Sequence, residues 1–256
     1  MKKLIAALLL PLSVTAQATV VEVQTNKGTI EINLYDETTP ETVANFLAYV
    51  NNGSYNGAIY HRLVPGFVLQ GGGYVYNGSS TLNTIETAPP VINEPVHSNV
   101  RGTVAMAKIG SSENSATVQW FFNLEDNASR LDAQNGGFTV FGQVTQGMDI
   151  VDSIGALPTF NFGGALAELP LDNYSDEDYN GDPDNNIDPL TPDSTHFVII
   201  ENVTITDTAV DSAAALDKPE NTLIDDVDEL SDFSDTKSGA LGVLALFGLL
   251  GLRRRR

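Results

Sequence analysis

The stretch Tyr60-His61-Arg62-Leu63-Val64-Pro65-Gly66-Phe67-Val68-Leu69-Gln70-Gly71-Gly72-Gly73 constrains this chain most: an arginine, an aromatic and a glutamine recur at strand-like spacing before a glycine run. Side chains two apart in a strand share a face. Arg62 and Gln70 are therefore expected on one face, with an irregularity at Pro65-Gly66 resetting the phase for Phe67. This sets a cation and an amide beside an aromatic wall.

Apolar alternation continues the β reading. Val21 and Val23, then Ile30, Ile32 and Leu34, flank the turn-like Asn26-Lys27-Gly28 and predict a hairpin. A late apolar run, residues 197–200 with Val203 and Ile205, could close a barrel by pairing with the early strands. Two helices punctuate the pattern. Thr39 as N-cap, with Pro40 at the first helical position, opens one that ends near Gly53 and carries a Val43, Phe46, Leu47, Val50 stripe. Met148, Val151 and Ile154, followed by Gly155, mark a short second one.

A second segment, Gly102-Thr103-Val104-Ala105-Met106-Ala107-Lys108, precedes Ser115-Ala116-Thr117-Val118-Gln119-Trp120-Phe121-Phe122-Asn123 and Phe138-Thr139-Val140-Phe141-Gly142. Taken singly, Met106, Trp120, Phe121 and Phe122 are residues of an ordinary core. In this order, joined to the first stretch, the segments resemble the cyclophilins, and the resemblance runs from about Val20 to Thr206, nearest the bacterial envelope members.

The resemblance implies a mainly β fold, a closed eight-stranded antiparallel barrel capped by two α-helices. It also implies peptidyl-prolyl cis-trans isomerisation without a cofactor. Arg62 would be the catalytic residue, and His61, Phe67, Gln70, Met106, Ala107, Gln119, Phe121, Leu131 and Phe138 would line the substrate pocket. Substrates would be proline-containing unfolded or flexible polypeptides. A noncatalytic peptide-binding or adhesion module on the same barrel is the alternative reading. Lys108 replaces an asparagine common in eukaryotic members, the family's drug-contacting tryptophan falls near Arg130, and Phe138 replaces a pocket histidine. Those departures argue against tight cyclosporin binding.

Such chemistry suits the residues. The bond to be turned has partial double-bond character and a barrier of roughly 18–20 kcal/mol. A guanidinium cannot lose its proton and carries several fixed donors. Aimed at the prolyl nitrogen, it favours the pyramidal nitrogen that has lost amide resonance. No net proton transfer is required, so His61 is expected to support the pocket rather than act as acid or base. His97 and His196 have no ligand-like neighbours, and no zinc site is expected.

The ends read as addresses. Lys2 and Lys3, an apolar run over residues 4–12 and Ala16-Gln17-Ala18 form a secretory signal pattern covering residues 1–18. Ser238-Gly239, an apolar run over residues 240–252 and four terminal arginines resemble the GlyGly-CTERM sorting tails of Gram-negative bacteria, which a rhomboid-type protease recognises. Thirteen helical residues span only about 20 Å, short of the roughly 30 Å hydrocarbon core, although an unprocessed anchor is the other reading. The expected product is exported to the periplasm or cell surface, touching the membrane through its tail before processing.

Without those ends, seven basic residues face 33 acidic ones, a formal charge of −26, which disfavours nucleic acid as a partner. There is no cysteine, so thiol chemistry is excluded. Two acidic stretches dominate. Residues 207–237 read as a flexible spacer. Residues 156–194 interrupt the barrel domain (19–206), and within them Asp176, Asp178, Asn180 and Asp184 are spaced like the start of a calcium loop, although Ile187 stands where a bidentate glutamate is needed. A solvated acidic loop is the competing reading.

Overall fold

The computed structural model describes residues 19–79, 81–207, 213 and 215–224. Strand β1 (Val20–Thr25) turns back through Asn26-Lys27 into β2 (Gly28–Leu34), with Val21 opposite Ile32 and Val23 opposite Ile30. All four side chains are fully buried, so the period-two alternation defines the inward face. Gly28 is required at the turn: its φ is +135°, and a Cβ there would lie 2.8 Å from Ile150 Cδ1.

Helix α1 (Pro40–Asn51) starts where predicted and buries Val43, Phe46 and Val50 against the sheet. Its cap differs from expectation. Thr39 directs its hydroxyl to the Tyr35 carbonyl, and the Glu94 carboxylate instead accepts the Glu41 and Thr42 N–H groups. An anion at a helix N-terminus satisfies both orphan donors and the dipole.

Short strands β3 (Ala58–Ile59), β4 (Arg62–Val64), β5 (Val68–Gly71), β6 (Tyr74–Val75) and β7 (Asn83–Thr84) precede β8 (Thr103–Met106) and β9 (Trp120–Asn123). After them come α2 (Ala128–Leu131), β10 (Val140–Gln146), α3 (Met148–Gly155), β11 (Thr159–Phe160), β12 (Leu169–Pro170), α4 (Asp176–Asn180) and β13 (Ile199–Asp207). The main sheet is antiparallel in the order β4-β5-β9-β8-β10-β2-β1-β13-β3-β6-β7. As expected, the late run pairs with β1, Val203 opposite Val23.

The expected eight-stranded closed barrel is thus a curled sheet of 11 short strands with two ends, β4 and β7. Bulges and brief pairings divide the ribbon more finely than an ideal barrel. The acidic insertion covers the β4 edge: Leu63 donates its N–H to the Glu168 carbonyl at 2.8 Å, and Leu171 bridges Phe197. Covering an edge removes unpaired backbone groups.

That insertion is ordered. Phe160, Leu169, Leu171 and Tyr174 bury themselves with Ile59 and Phe197 in a side core, while the acidic residues between them, Glu168 and Asp172, pair with Arg62 and Lys27. The main core gathers around Trp120, with Phe46, Tyr55, Tyr60 and Phe122 ring centroids 5.3–6.2 Å away.

The expected flexible spacer is also partly docked. Ala213 is buried beside Tyr35, Ser98 donates its N–H to the Pro219 carbonyl, and Asn221 donates to the Val96 and Asp132 carbonyls. Acidic composition concealed these few contacts. Ending the chain after Asp207 is expected to cost about 2 kcal/mol, from two or three lost hydrogen bonds and apolar cover, seen as a melting temperature lower by about 4–8 °C. An unchanged melt would show the segment merely resting on the surface. Residues 1–18, 225–237 and the tail at 238–256 lie outside the described residues, among which no helix is long and apolar enough to cross a membrane.

Candidate active site

The stretch first read as one interrupted strand is a hairpin. β4 and β5 join through Pro65-Gly66, Gly66 has φ +66°, and the Phe67 N–H closes the turn on the Val64 carbonyl. Arg62 therefore faces Gln70 by cross-strand register rather than along one strand. Gln70 lies opposite Phe121 on β9, and Phe121 opposite Ala105 on β8. Cross-strand partners share a face, so Arg62, Gln70, Phe121 and Ala105 form one row. The intervening residues Leu63, Leu69, Phe122 and Val104 belong to the main core. The row accordingly lies on the sheet's other face.

On that face Phe67, Phe121, Leu131 and Phe138 form an apolar cluster, with half-buried Ala107 against it. The Phe121 and Phe138 rings meet edge to face at 6.0 Å. Arg130 Cζ stands 5.1 Å from the Phe67 centroid. Gln70 Nε2 donates to Gln119 Oε1 at 2.7 Å, tying the two pocket amides together. The Arg62 guanidinium is paired through Nε to Glu168 Oε2 at 2.7 Å, its side chain 19% exposed.

Met106 is a correction. It pairs with Trp120, is fully buried and lies in the main core, because alternation points it to the face opposite Phe121. Lys108 stands behind the Phe138 wall. It is buried, donates to the Asn135 and Gly137 carbonyls and stands 4.9 Å from the Phe138 centroid. Burial pushes its ammonium down to about 8. Its ammonium ties the Asn135 and Gly137 backbone to the Phe138 side of the cluster.

His61 is 2% exposed and stacks edge-on against Tyr74 at 5.0 Å. A Cβ on Gly73 would meet the Gln119 amide at 2.9 Å and the His61 ring at 3.1 Å, so glycine lets these groups converge. Burial pushes the imidazole down to about 4, and it is neutral at pH 7. The unfolded chain takes up this proton below about pH 6.5, the folded one only near 4. Stability is therefore lost as pH falls through that window, by on the order of 3 kcal/mol for this group. Urea unfolding at pH 7, 5.5 and 4 should show a shallower decline for His61→Gln, and equal slopes would refute the assignment.

Five residues outside the expected pocket set, Ser98, Asn99, Asn123, Asn127 and Asp132, hold the wall carrying Leu131 and Phe138. The Asp132 carboxylate accepts from Ser98 Oγ, Asn99 N and Asn99 Nδ2. Asn127 Nδ2 donates to the Phe67 carbonyl and Asn123 Oδ1, both at 2.8 Å. A local cue existed only for Asn123, which ends the Trp-Phe-Phe-Asn run.

The calcium reading is overturned. Asp176, Asp178 and Asn180 lie in α4, where Ser175 and Asp178 form a capping box. The Asp178 carboxyl is held below its usual range by the Ser175 hydroxyl. Asn180 donates to the Asp176 carbonyl, and Asp184 sits in a separate turn capped by Asp182. Among the described residues no group of three or more His, Asp or Glu side chains is placed to hold a metal. Acidic spacing served helix capping.

A curled antiparallel sheet with an aromatic cluster and an ion-paired arginine on the face opposite its main core has the form of a cyclophilin. The family model for cyclophilin type peptidyl-prolyl cis-trans isomerase/CLD matches residues 20–173. The chain is 45% identical over 172 residues to a peptidyl-prolyl cis-trans isomerase of Acinetobacter baylyi, covering 64% of this chain and 87% of that one. It is 42% identical to peptidyl-prolyl cis-trans isomerase A of Dickeya dadantii, covering 63% and 88%. In fold it matches a cyclophilin type peptidyl-prolyl isomerase of Cryptosporidium parvum at TM-score 0.52 and 21% identity, covering 75% and 99%. That protein was also crystallised in the presence of the dipeptide Ala-Pro, and this second structure matches at TM-score 0.51. The chain belongs to the cyclophilin-type peptidyl-prolyl cis-trans isomerase family and is an enzyme of that class.

Proposed function

We propose that Arg62 is the principal catalytic residue and that the enzyme isomerises Xaa-Pro bonds in exported polypeptides. The observation that carries this is the row of Arg62, Gln70 and Phe121 on the outward face. The proline ring enters the cleft of Phe67, Phe121, Leu131 and Phe138, against Ala107. Arg62 donates to the prolyl nitrogen as the bond twists, while Gln70 and Gln119 bind the neighbouring peptide groups. Nothing covalent forms, and only a donor fixed before the twist lowers the barrier. His61, buried and neutral, supports Gln119 from beneath.

Residues 1–18 direct export, and residues 238–256 act as a sorting tail for a rhomboid-type protease, leaving the isomerase in the periplasm or at the cell surface. There it speeds folding of clients limited by proline isomerisation, which takes tens to hundreds of seconds unaided. The tests are cis-to-trans conversion of an Xaa-Pro peptide by the mature chain and its intact mass from the envelope fraction. A mature protein starting at Thr19 and ending near Gly239 supports the addresses. Intact termini in a cytoplasmic protein would overturn them.

A further inference from the structure

The acidic insertion reaches the candidate catalytic arginine directly. Glu168 Oε2 is 2.7 Å from Arg62 Nε, and the Glu168 carbonyl accepts the N–H of the next residue, Leu63, at 2.8 Å. Both ends of Glu168 are thus tied to β4. Leu169, which follows, is buried in the side core and paired with Phe160. The carboxylate is therefore delivered at a fixed register by a packed element.

Gln70, the cross-strand neighbour of Arg62, is committed to Gln119. Among the described residues, Glu168 is the only carboxylate within ion-pair distance of the guanidinium. An arginine side chain free in water carries about 2 kcal/mol of rotamer entropy, and a donor immobilised beforehand does not lose it in the transition state. Occupying Nε also leaves the Nη hydrogens for substrate.

We propose that Glu168 is a positioning residue for Arg62, holding its guanidinium ready for the twisted prolyl bond, and that the insertion is retained in part to deliver it. The proposal rests on Arg62 being catalytic. Glu168 is 43% exposed at its side chain, so solvent weakens the pair and the expected effect is moderate.

The experiment measures kcat and KM for an Xaa-Pro peptide with the full chain, its Glu168→Ala, Glu168→Gln and Arg62→Ala variants, and the Arg62→Ala/Glu168→Ala double variant. Glu168→Ala should lower kcat about threefold to fivefold, the range of a partly exposed ion pair, with KM nearly unchanged. Glu168→Gln should recover only a small part of the loss, because it keeps the side-chain shape but not the charge that pairs with the guanidinium. In the Arg62→Ala background the Glu168 change should have no effect, since residues acting through one another are not additive.

An unchanged or raised kcat in Glu168→Ala overturns the proposal. So does an equal loss in both backgrounds, which would mean Glu168 acts through the fold. A wild-type rate in Arg62→Ala would instead overturn the assignment of Arg62 itself, whereas an inactive Arg62→Ala beside a fully active Glu168→Ala would overturn only the role of Glu168.

Discussion

Replacing Arg62 by alanine is expected to lower kcat/KM for Xaa-Pro isomerisation by about 10²–10³-fold, the usual cost of removing one preorganised donor from a transition state. Most of the loss should fall on kcat. On the proposed reading, the aromatic cluster of Phe67, Phe121 and Phe138 would still receive proline, whereas the interaction with the twisted nitrogen would disappear. Arg62 lies outside the main core and is partly exposed, so the melting temperature should change little. Arg62→Lys should recover only part of the rate, because an ammonium keeps the charge but lacks the fixed fork of donors. Near-normal kcat in a folded Arg62→Ala protein would move catalysis to another group.

Trp120→Ala should remove about 3–5 kcal/mol of stability, near the top of the range for single core substitutions. Its fully buried indole meets Phe46, Tyr55, Tyr60 and Phe122 almost perpendicularly, at interplanar angles of 86–88°. Rings from α1 and several strands converge there, and no single neighbour can collapse into the space left. β9 also carries Phe121, and Gln119 precedes it, so the candidate pocket should loosen with the core and KM should rise. Trp120 is the sole tryptophan, and urea unfolding should therefore be followed by far-UV circular dichroism. A loss below about 1 kcal/mol would mean the core is not organised around this ring.

Much of the candidate site was legible because its signals are local. Arg62, Phe67, Gln70, Gln119 and Phe121 sit in short runs readable one by one, whereas the cross-strand register is what puts Arg62, Gln70 and Phe121 in one row. Met106 was misplaced by one position of alternation, since a shift of one residue sends a side chain to the opposite face. Asp176 and Asp178 misled because a capping box and the start of a cation loop use the same residue types at similar spacing. The docking of Ala213 and Asn221 was hidden by the acidity of their neighbours.

The sequence by itself determined the β1–β2 hairpin with its turn at Asn26-Lys27, the two longer helices, and the ordered motifs that mark the family. These follow from side-chain alternation, turn conformations and hydrogen-bonding types, which act over a few residues. Only the tertiary structure decided that the sheet ends at β4, that the insertion covers this edge, and that Glu168 meets Arg62 there. Those contacts join segments far apart in the chain. They are selected by many small packing and pairing energies summed over the curled sheet, and no local pattern records that sum.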